Sequence, residues 1–286
     1  MMECLDPVVF FLSGALITGG ALFLWAQTRR RTAYGRYVSA EGRCCPARLG
    51  WFLQEVPAFL LPLLLLLLTG GAGGAGGAGG AGGTGRTLLL CTFMLHYFHR
   101  SFIYALRTRG RPVPLTTVLY AAIFCSLNGF LQGHHLLHCA RFDHTWLSRA
   151  RMAAGSLLFV VGLSINIHSD LILRRLREPG EVVYRIPHDP DPQLTVVLTW
   201  FSSGGMFHFV SGANFFGEIV EWSGYAIASW SLPTFAFAFF TVCSIGPRAF
   251  HHHRYLSVCL LHHHRDYQQR FDDYPRSRKI LIPFIL

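Results

Sequence analysis

Residues 50–68 read GWFLQEVPAFLLPLLLLLL, an apolar run interrupted by one ionisable side chain, Glu55. At about 1.5 Å of rise per residue, such a run wound as a helix nearly spans a hydrocarbon core of roughly 30 Å. Runs of the same kind recur near 7–26, 87–106, 113–138, 152–173, 214–230 and 231–247. The last two form one stretch, Phe215 to Ile245, containing Ser231-Leu232-Pro233. The residue before a proline disfavours helix, so a turn there splits the stretch. The expected fold is all-α: a polytopic membrane protein built as a bundle of seven transmembrane helices.

Composition agrees. Of 286 residues, 51% are apolar and 14% charged, and the mean hydropathy is +0.35. Soluble globular chains carry roughly 25% charged residues, so a soluble domain is disfavoured and a disordered chain excluded. The net charge of +10 comes almost wholly from arginine, in short clusters between apolar runs. A nucleic-acid binder would carry a basic stripe on a polar surface instead, and no nucleic-acid partner is expected. Twenty of the 25 basic residues fall in the 27–49, 107–111 and 174–185 loops and the tail from Arg248 to Lys279. The alternate loops hold only Arg86, Arg141, Arg149 and Arg151. The positive-inside rule then puts the N-terminus in the lumen and the C-terminus in the cytosol. Glu3 and Asp6 before the first run, and Arg29-Arg30-Arg31 after it, mark a retained anchor helix, because a cleaved signal peptide has the opposite flanks.

The whole of 1–286 is expected to form one membrane domain with three irregular segments. Residues 69–85 are a Gly-Gly-Ala repeat, expected as a flexible luminal linker. Its formal G-x-G-x-x-G lacks the strand and acidic helix of a dinucleotide fingerprint. Residues 188–203 are a Pro/Asp-punctuated insert, and the stretch 255–265 carries a second copy of His251-His252-His253-Arg254. The eight cysteines are scattered and are expected as small core residues. His134-His135-x-x-His138 and the two HHH runs suggest iron boxes, but they belong to opposite faces of the membrane, and no metal is expected.

Ionisable groups inside spans are costly and are the first candidates for chemistry. They are Glu55, His96, His99, Arg100, His168, Asp170, Glu218 and Glu221, beside Tyr97, Asn166 and Asn214, all within reach of the cytosolic half. Each pair could also serve only to lock one helix to another. Glu218 and Glu221 share a helix face and suit acid–base work, metal binding or pairing with an arginine. The Arg109-Gly-Arg111 and Arg174-Arg-Leu-Arg177 loops suit a phosphate-bearing cofactor, or equally anionic lipid headgroups.

The blocks Trp51-FLQEVP, His96-YFHRSFIY, Arg109-GRP, Gly204-GMF-x-FVSGANFFGEI-x-EW, Trp230-SLP-x-FAFAFF and Asp273-YPRSRK-x-LIPF together resemble the steroid 5α-reductase family, the 3-oxo-5α-steroid 4-dehydrogenases. Val210-SGANFFGEI and Phe250-HHHR are similar to that family's type 2 pattern. The resemblance implies a multi-pass enzyme of the endoplasmic reticulum membrane that reduces the Δ4 double bond of 3-oxo steroids of the testosterone and progesterone type. NADPH would give hydride to C5, and C4 would take a proton. By the same resemblance Glu55 and Tyr97 contact the 3-oxo group, where a protonated Glu55 could donate a hydrogen bond as enolate charge develops. Arg111, Asn166, Asp170, Arg177, Tyr184, Arg185, Asn214, Glu218 and Tyr267 would surround NADPH, with His252 and His263 competing for one cofactor-facing position. The steroid would enter from the lipid and pack against Trp222 and Phe240. The sequence departs from the family at the 188–203 insert, the duplicated HHHR, Thr108 for an asparagine and Tyr120 for an arginine. The insert interrupts a loop expected to close over the cofactor. Two other readings stand beside this one: a related membrane enoyl or polyprenol reductase, and, from span count alone, a non-catalytic seven-helix receptor or transporter.

Overall fold

Peptide groups without water to bond them must pair within their own segment, and the apolar runs fold accordingly as helices. In the computed structural model these are α1 (Pro7–Arg29), α2 (Ala47–Gly71), α3 (Ala81–Phe98), α4 (Ala105–Arg107), α5 (Leu115–His134), α6 (Trp146–Arg175), α7 (Ala213–Ser229) and α8 (Leu232–His262). A π turn, His99–Tyr104, joins α3 to α4, and a second, His135–Cys139, ends α5. The structure describes residues 6–29, 43–71, 81–142, 145–176, 205–210 and 212–262, with the backbone alone for 70–71, 81–82 and 249–262.

Contacts along the helices set their directions. Gly20 meets Phe240 while Gln27 donates to the Cys243 carbonyl at 3.2 Å, so α1 and α8 run parallel. Gly50 meets Val118 and Gly133 meets Pro62, so α2 and α5 also run parallel. α6 and α7 are antiparallel: Gly155 meets Ala228, and Gly162 meets Glu221. One end of the bundle therefore gathers the C-termini of α1, α4 and α6 with the N-termini of α2, α5 and α7. At that end β1 (Cys44–Cys45) pairs antiparallel with β2 (Val113–Pro114), tying the entries of α2 and α5 together.

The α6–α7 contact is the closest. Gly155 and Gly162 on α6 interlock with Gly217 and Gly224 on α7, each pair seven residues apart. A Cβ at Gly217 would lie 2.6 Å from the Asn166 nitrogen, and one at Gly224 2.5 Å from that of Phe159. Small residues let two backbones touch, which is how helices associate where burial from water supplies no drive. Beside this seam the core is aromatic: Phe93, Tyr97, Phe159, Trp222, Tyr225 and Phe237 are all buried together. The outer surface is apolar as well, with Leu64, Leu67, Leu95, Leu157 and Val160 exposed.

The expected break at 231–233 is present. Trp230 takes a left-handed conformation (φ 52°) and donates to the Ala226 carbonyl at 2.8 Å, closing α7. Ser231 then starts α8 through hydroxyl contacts to Ser229 (2.9 Å) and Thr234 (3.0 Å). Among the described residues, four segments are long and apolar enough to cross a membrane: Pro7–Arg29, Ala47–Thr69, Leu115–Cys139 and Trp146–Arg175. The other expected spans are helical too, but α7 has only 17 residues and α3 begins in the Gly-Ala tract.

Two expectations change. The 69–85 tract is helical at both ends, since α2 runs to Gly71 and α3 starts at Ala81; 72–80 lie outside the described residues. The cysteines are not all core fillers: Cys139 is disulfide-bonded, at the end of the bundle opposite β1 and β2. Nearby, His134 Nε2 lies 2.7 Å from the Asp6 carboxylate, and that hydrogen bond holds the Asp6 carboxyl below the ordinary range. The insert 188–203 lies outside the described residues; of 255–265, only the backbone of 255–262 is described, as the end of α8.

Gly162→Ala should lower stability by about 1–3 kcal/mol, because a Cβ there meets the α7 backbone and neither helix can yield cheaply. Gly14→Ala on α1, where a Cβ meets nothing within 4 Å, should be neutral or slightly stabilising. Thermal unfolding of both variants in detergent compares them directly.

Candidate active site

A cavity of about 640 Å³ opens at the end of the bundle that carries β1 and β2. Its wall draws on α1 (Phe23), α2 (Trp51, Glu55), α3 (His96, Tyr97), α5 (Tyr120, Phe124), α6 (Asp170), α7 (Asn214, Glu218) and α8 (Phe237, Phe240). This volume falls within the usual range of small-molecule sites, and an apolar lining with a few convergent polar groups is their usual make-up.

Arg100 organises the polar side. The π turn around it carries the guanidinium inward, and π turns are frequent at functional sites because they re-aim side chains. Its Nη1 donates to Asp170 Oδ2 at 3.1 Å, and Nη2 lies 3.8 Å from Glu55 Oε1. The guanidinium also sits over the rings of Tyr104 (4.4 Å) and Trp51 (4.8 Å). A buried cation is thus paired with the Asp170 carboxylate, has the Glu55 carboxyl group nearby and is flanked by aromatic faces, the environment in which burial of charge is tolerated. Asp170 extends the network by accepting from Asn214 Nδ2 at 3.5 Å, and Asn166 Nδ2 donates to the Asn214 carbonyl at 3.0 Å. Together these bonds fix the start of α7 against α6.

On the apolar side Tyr97 is held by ring contacts: Phe93 at 4.8 Å between centroids and Trp222, stacked, at 6.0 Å. Glu55 Oε2 accepts a long contact from the Cys125 thiol, 3.9 Å. His96 Nδ1 lies 2.6 Å from Glu221 Oε1, a hydrogen bond with both residues buried.

Of the residues singled out from sequence, the structure brings Glu55, Tyr97, Asp170, Asn214, Glu218 and Phe240 onto this one cavity. Asn166 is buried one layer behind, bonded to the Asn214 backbone. Trp222 does not line the cavity; it is buried in the aromatic core, where its ring backs Tyr97. Arg111 is exposed beside β2, outside the lining. Arg177, Tyr184, Arg185, His263 and Tyr267 lie outside the described residues, and of His252 only the backbone, on α8, is described. Arg100, His96 and Glu221 stood among the candidates from sequence, but neither the partners of Arg100 nor the His96–Glu221 pairing was identified there. The available signal was the cost of an ionisable group inside a span, which predicts a partner without saying which one.

Comparison with known proteins points the same way. The family model described as 3-oxo-5-alpha-steroid 4-dehydrogenase matches residues 111–286. Over 99% of both chains, the sequence is 44% identical to 3-oxo-5-alpha-steroid 4-dehydrogenase 2 of Homo sapiens. It is 45% identical to the Rattus norvegicus protein of that name, over 99% of this chain and 98% of the relative. The Bos taurus protein named 3-oxo-5-alpha-steroid 4-dehydrogenase 1 is 42% identical, over 88% of this chain and 87% of the relative.

Arg100→Met should destabilise the fold by about 3–5 kcal/mol, because Asp170 would keep its charge without the cation beside it. Adding Asp170→Asn should recover part of that loss. Detergent unfolding of the two single variants and the double variant measures the coupling.

Proposed function

The chain belongs to the 3-oxo-5-alpha-steroid 4-dehydrogenase family, and on that premise we propose that it reduces the Δ4 double bond of 3-oxo steroids with NADPH in this cavity. The observation that carries the reading is the mixed lining of one cavity: Glu55 and Tyr97 share it with apolar rings such as Phe124, Phe237 and Phe240 and with Asp170, Asn214 and Glu218.

The donor set fits a nicotinamide cofactor. The Asn214 amide and the Asp170 and Glu218 carboxyl groups are among the lining residues, Asn166 Oδ1 is buried with no hydrogen-bond partner, and Arg109, Arg111, Arg174 and Arg175 belong to the same end of the bundle. Asp170, Asn214 and Glu218 would hold the nicotinamide end, with Asn166 supporting Asn214. Arg111, Arg177 and Arg185 would meet phosphates, and Tyr184, Tyr267 and one of His252 and His263 would complete the enclosure. When bound, NADPH supplies the hydride for C5.

The protein's own residues handle the oxygen. Tyr97 Oη and a protonated Glu55 donate hydrogen bonds to O3, which gains charge as C5 is reduced; fixed donors aimed at developing charge are worth most in a water-poor site. Arg100 holds Glu55 in register with the cofactor side. Phe240 packs the steroid body, and Trp222 serves by keeping the Tyr97 ring in place.

The same reading sets the protein in the endoplasmic reticulum membrane with seven spans, the N-terminus luminal and the cavity end cytosolic. Supporting it are the concentration of arginine at the cavity end and the disulfide-bonded Cys139 at the other, since disulfides persist in oxidising compartments. No observation favours a receptor or transporter.

Microsomes containing the protein, NADPH and a Δ4-3-oxo steroid should yield the 5α-reduced ketone. Glu55→Gln should cut that yield by about 10²-fold or more with protein abundance near normal. Absence of product from the unaltered protein would refute the activity, and collapse of abundance in Glu55→Gln would make Glu55 structural.

A further inference from the structure

Reduction of the Δ4 bond needs a proton at C4, and the groups that bind O3 do not by themselves deliver it. C4 is bonded to C3, so its acid must sit beside the residues that hold the 3-oxo group. His96 meets that requirement. It neighbours Tyr97 on α3, with ring centroids 5.0 Å apart, and it is one of the residues lining the cavity. Nδ1 is committed to Glu221 at 2.6 Å, whereas Nε2 has no hydrogen-bond partner among the described residues. Glu221 is wholly buried, and its second oxygen, Oε2, has no hydrogen-bond partner. A carboxylate fixed on one ring nitrogen of a histidine at a cavity wall is an arrangement that orients the imidazole for proton transfer. Burying the pair costs desolvation, and in the same α3–α7 contact Phe93 packs against Trp222 and Tyr225.

We propose that His96, oriented by Glu221, is the general acid that protonates C4, an inference that rests on the steroid-reductase reading. As the hydride pair forms the C5–H bond, the C4–C5 π pair shifts into an enolate with its charge on O3. When the enolate collapses, C3=O reforms and C4 takes the proton from His96 Nε2. The N–H pair stays on the ring, Nδ1–H remains bonded to Glu221, and a solvent proton restores Nε2. The charged and titratable groups around the dyad are Glu55 on α2, Cys125 on α5, Asp170 on α6, Glu218 on α7 and Arg100 on the π turn. All of them contribute to the pH profile.

Microscopic reversibility supplies a test without hydride transfer. The saturated 3-oxo-5α-steroid has acidic hydrogens at C4, and the group that donates there must also remove one. Incubated with that steroid in D2O, without cofactor and again with NADP+, the unaltered protein should place deuterium stereospecifically at C4. His96→Gln should slow both exchange and kcat by about 10²-fold or more and remove one limb of the pH profile, with steroid and NADPH binding within about twofold. Glu221→Gln, which keeps the hydrogen bond but not the charge, should show a smaller fall in the same two quantities and carries the test if His96→Gln does not fold. Exchange and kcat unchanged in either folded variant would overturn the assignment. Absence of 5α product from the unaltered protein would instead refute the reductase reading.

Discussion

A guanidinium buried at one end of a helical bundle must be neutralised from several directions, and Arg100 draws its partners from elements far apart in the chain. Asp170 reaches it from α6 and Glu55 from α2, while Trp51 and Tyr104 cover its faces. Asp170 in turn holds Asn214 at the start of α7. Four elements are therefore registered against one cation. Coulombic attraction is strong where water is scarce, but an uncompensated charge is then expensive, so the arrangement works only as a complete set. The proposed steroid-facing carboxylate and the proposed cofactor-facing one are bound to the same side chain. Their spacing is consequently set by the geometry of one planar group.

Around that polar knot the protein faces two apolar environments. Outward, leucine and valine side chains cover the helices; inward, aromatic rings fill the space between them. Burial from water cannot distinguish these faces as it does in a soluble domain, so close contact and buried polar bonds carry the specificity. The glycine seam between α6 and α7 brings two backbones together, and that closeness sets Glu221 against α3 and Glu218 toward the cavity.

Much of this was legible in the sequence. Helix positions followed from apolar runs, the α7–α8 break from Ser231-Leu232-Pro233, and the polar residues of one half from the cost of burying them. Glu55 and Tyr97 were identifiable by resemblance, and both line the cavity. Helix spacing could not separate Glu218 from Glu221; only the resemblance picked out Glu218. Two positions three apart on a helix differ by only about 60° of rotation, and the neighbouring helix decides which faces open space. Trp222 was expected against substrate by the same resemblance, yet its ring lies behind Tyr97. The His96–Glu221 bond joins residues 125 apart in the chain, and nothing local to either announces the other.

The π turn at His99–Tyr104 makes chain length an angular setting. A π turn holds one residue more than the α-helical path it replaces, and each α-helical residue accounts for about 100° of rotation. Loss of one residue here would hardly shorten the helix, but everything beyond would turn by more than a quarter circle about its axis. Arg100, Tyr104 and the Arg109-Gly-Arg111 loop would then address different neighbours. The number of residues in the segment therefore matters as much as their identity.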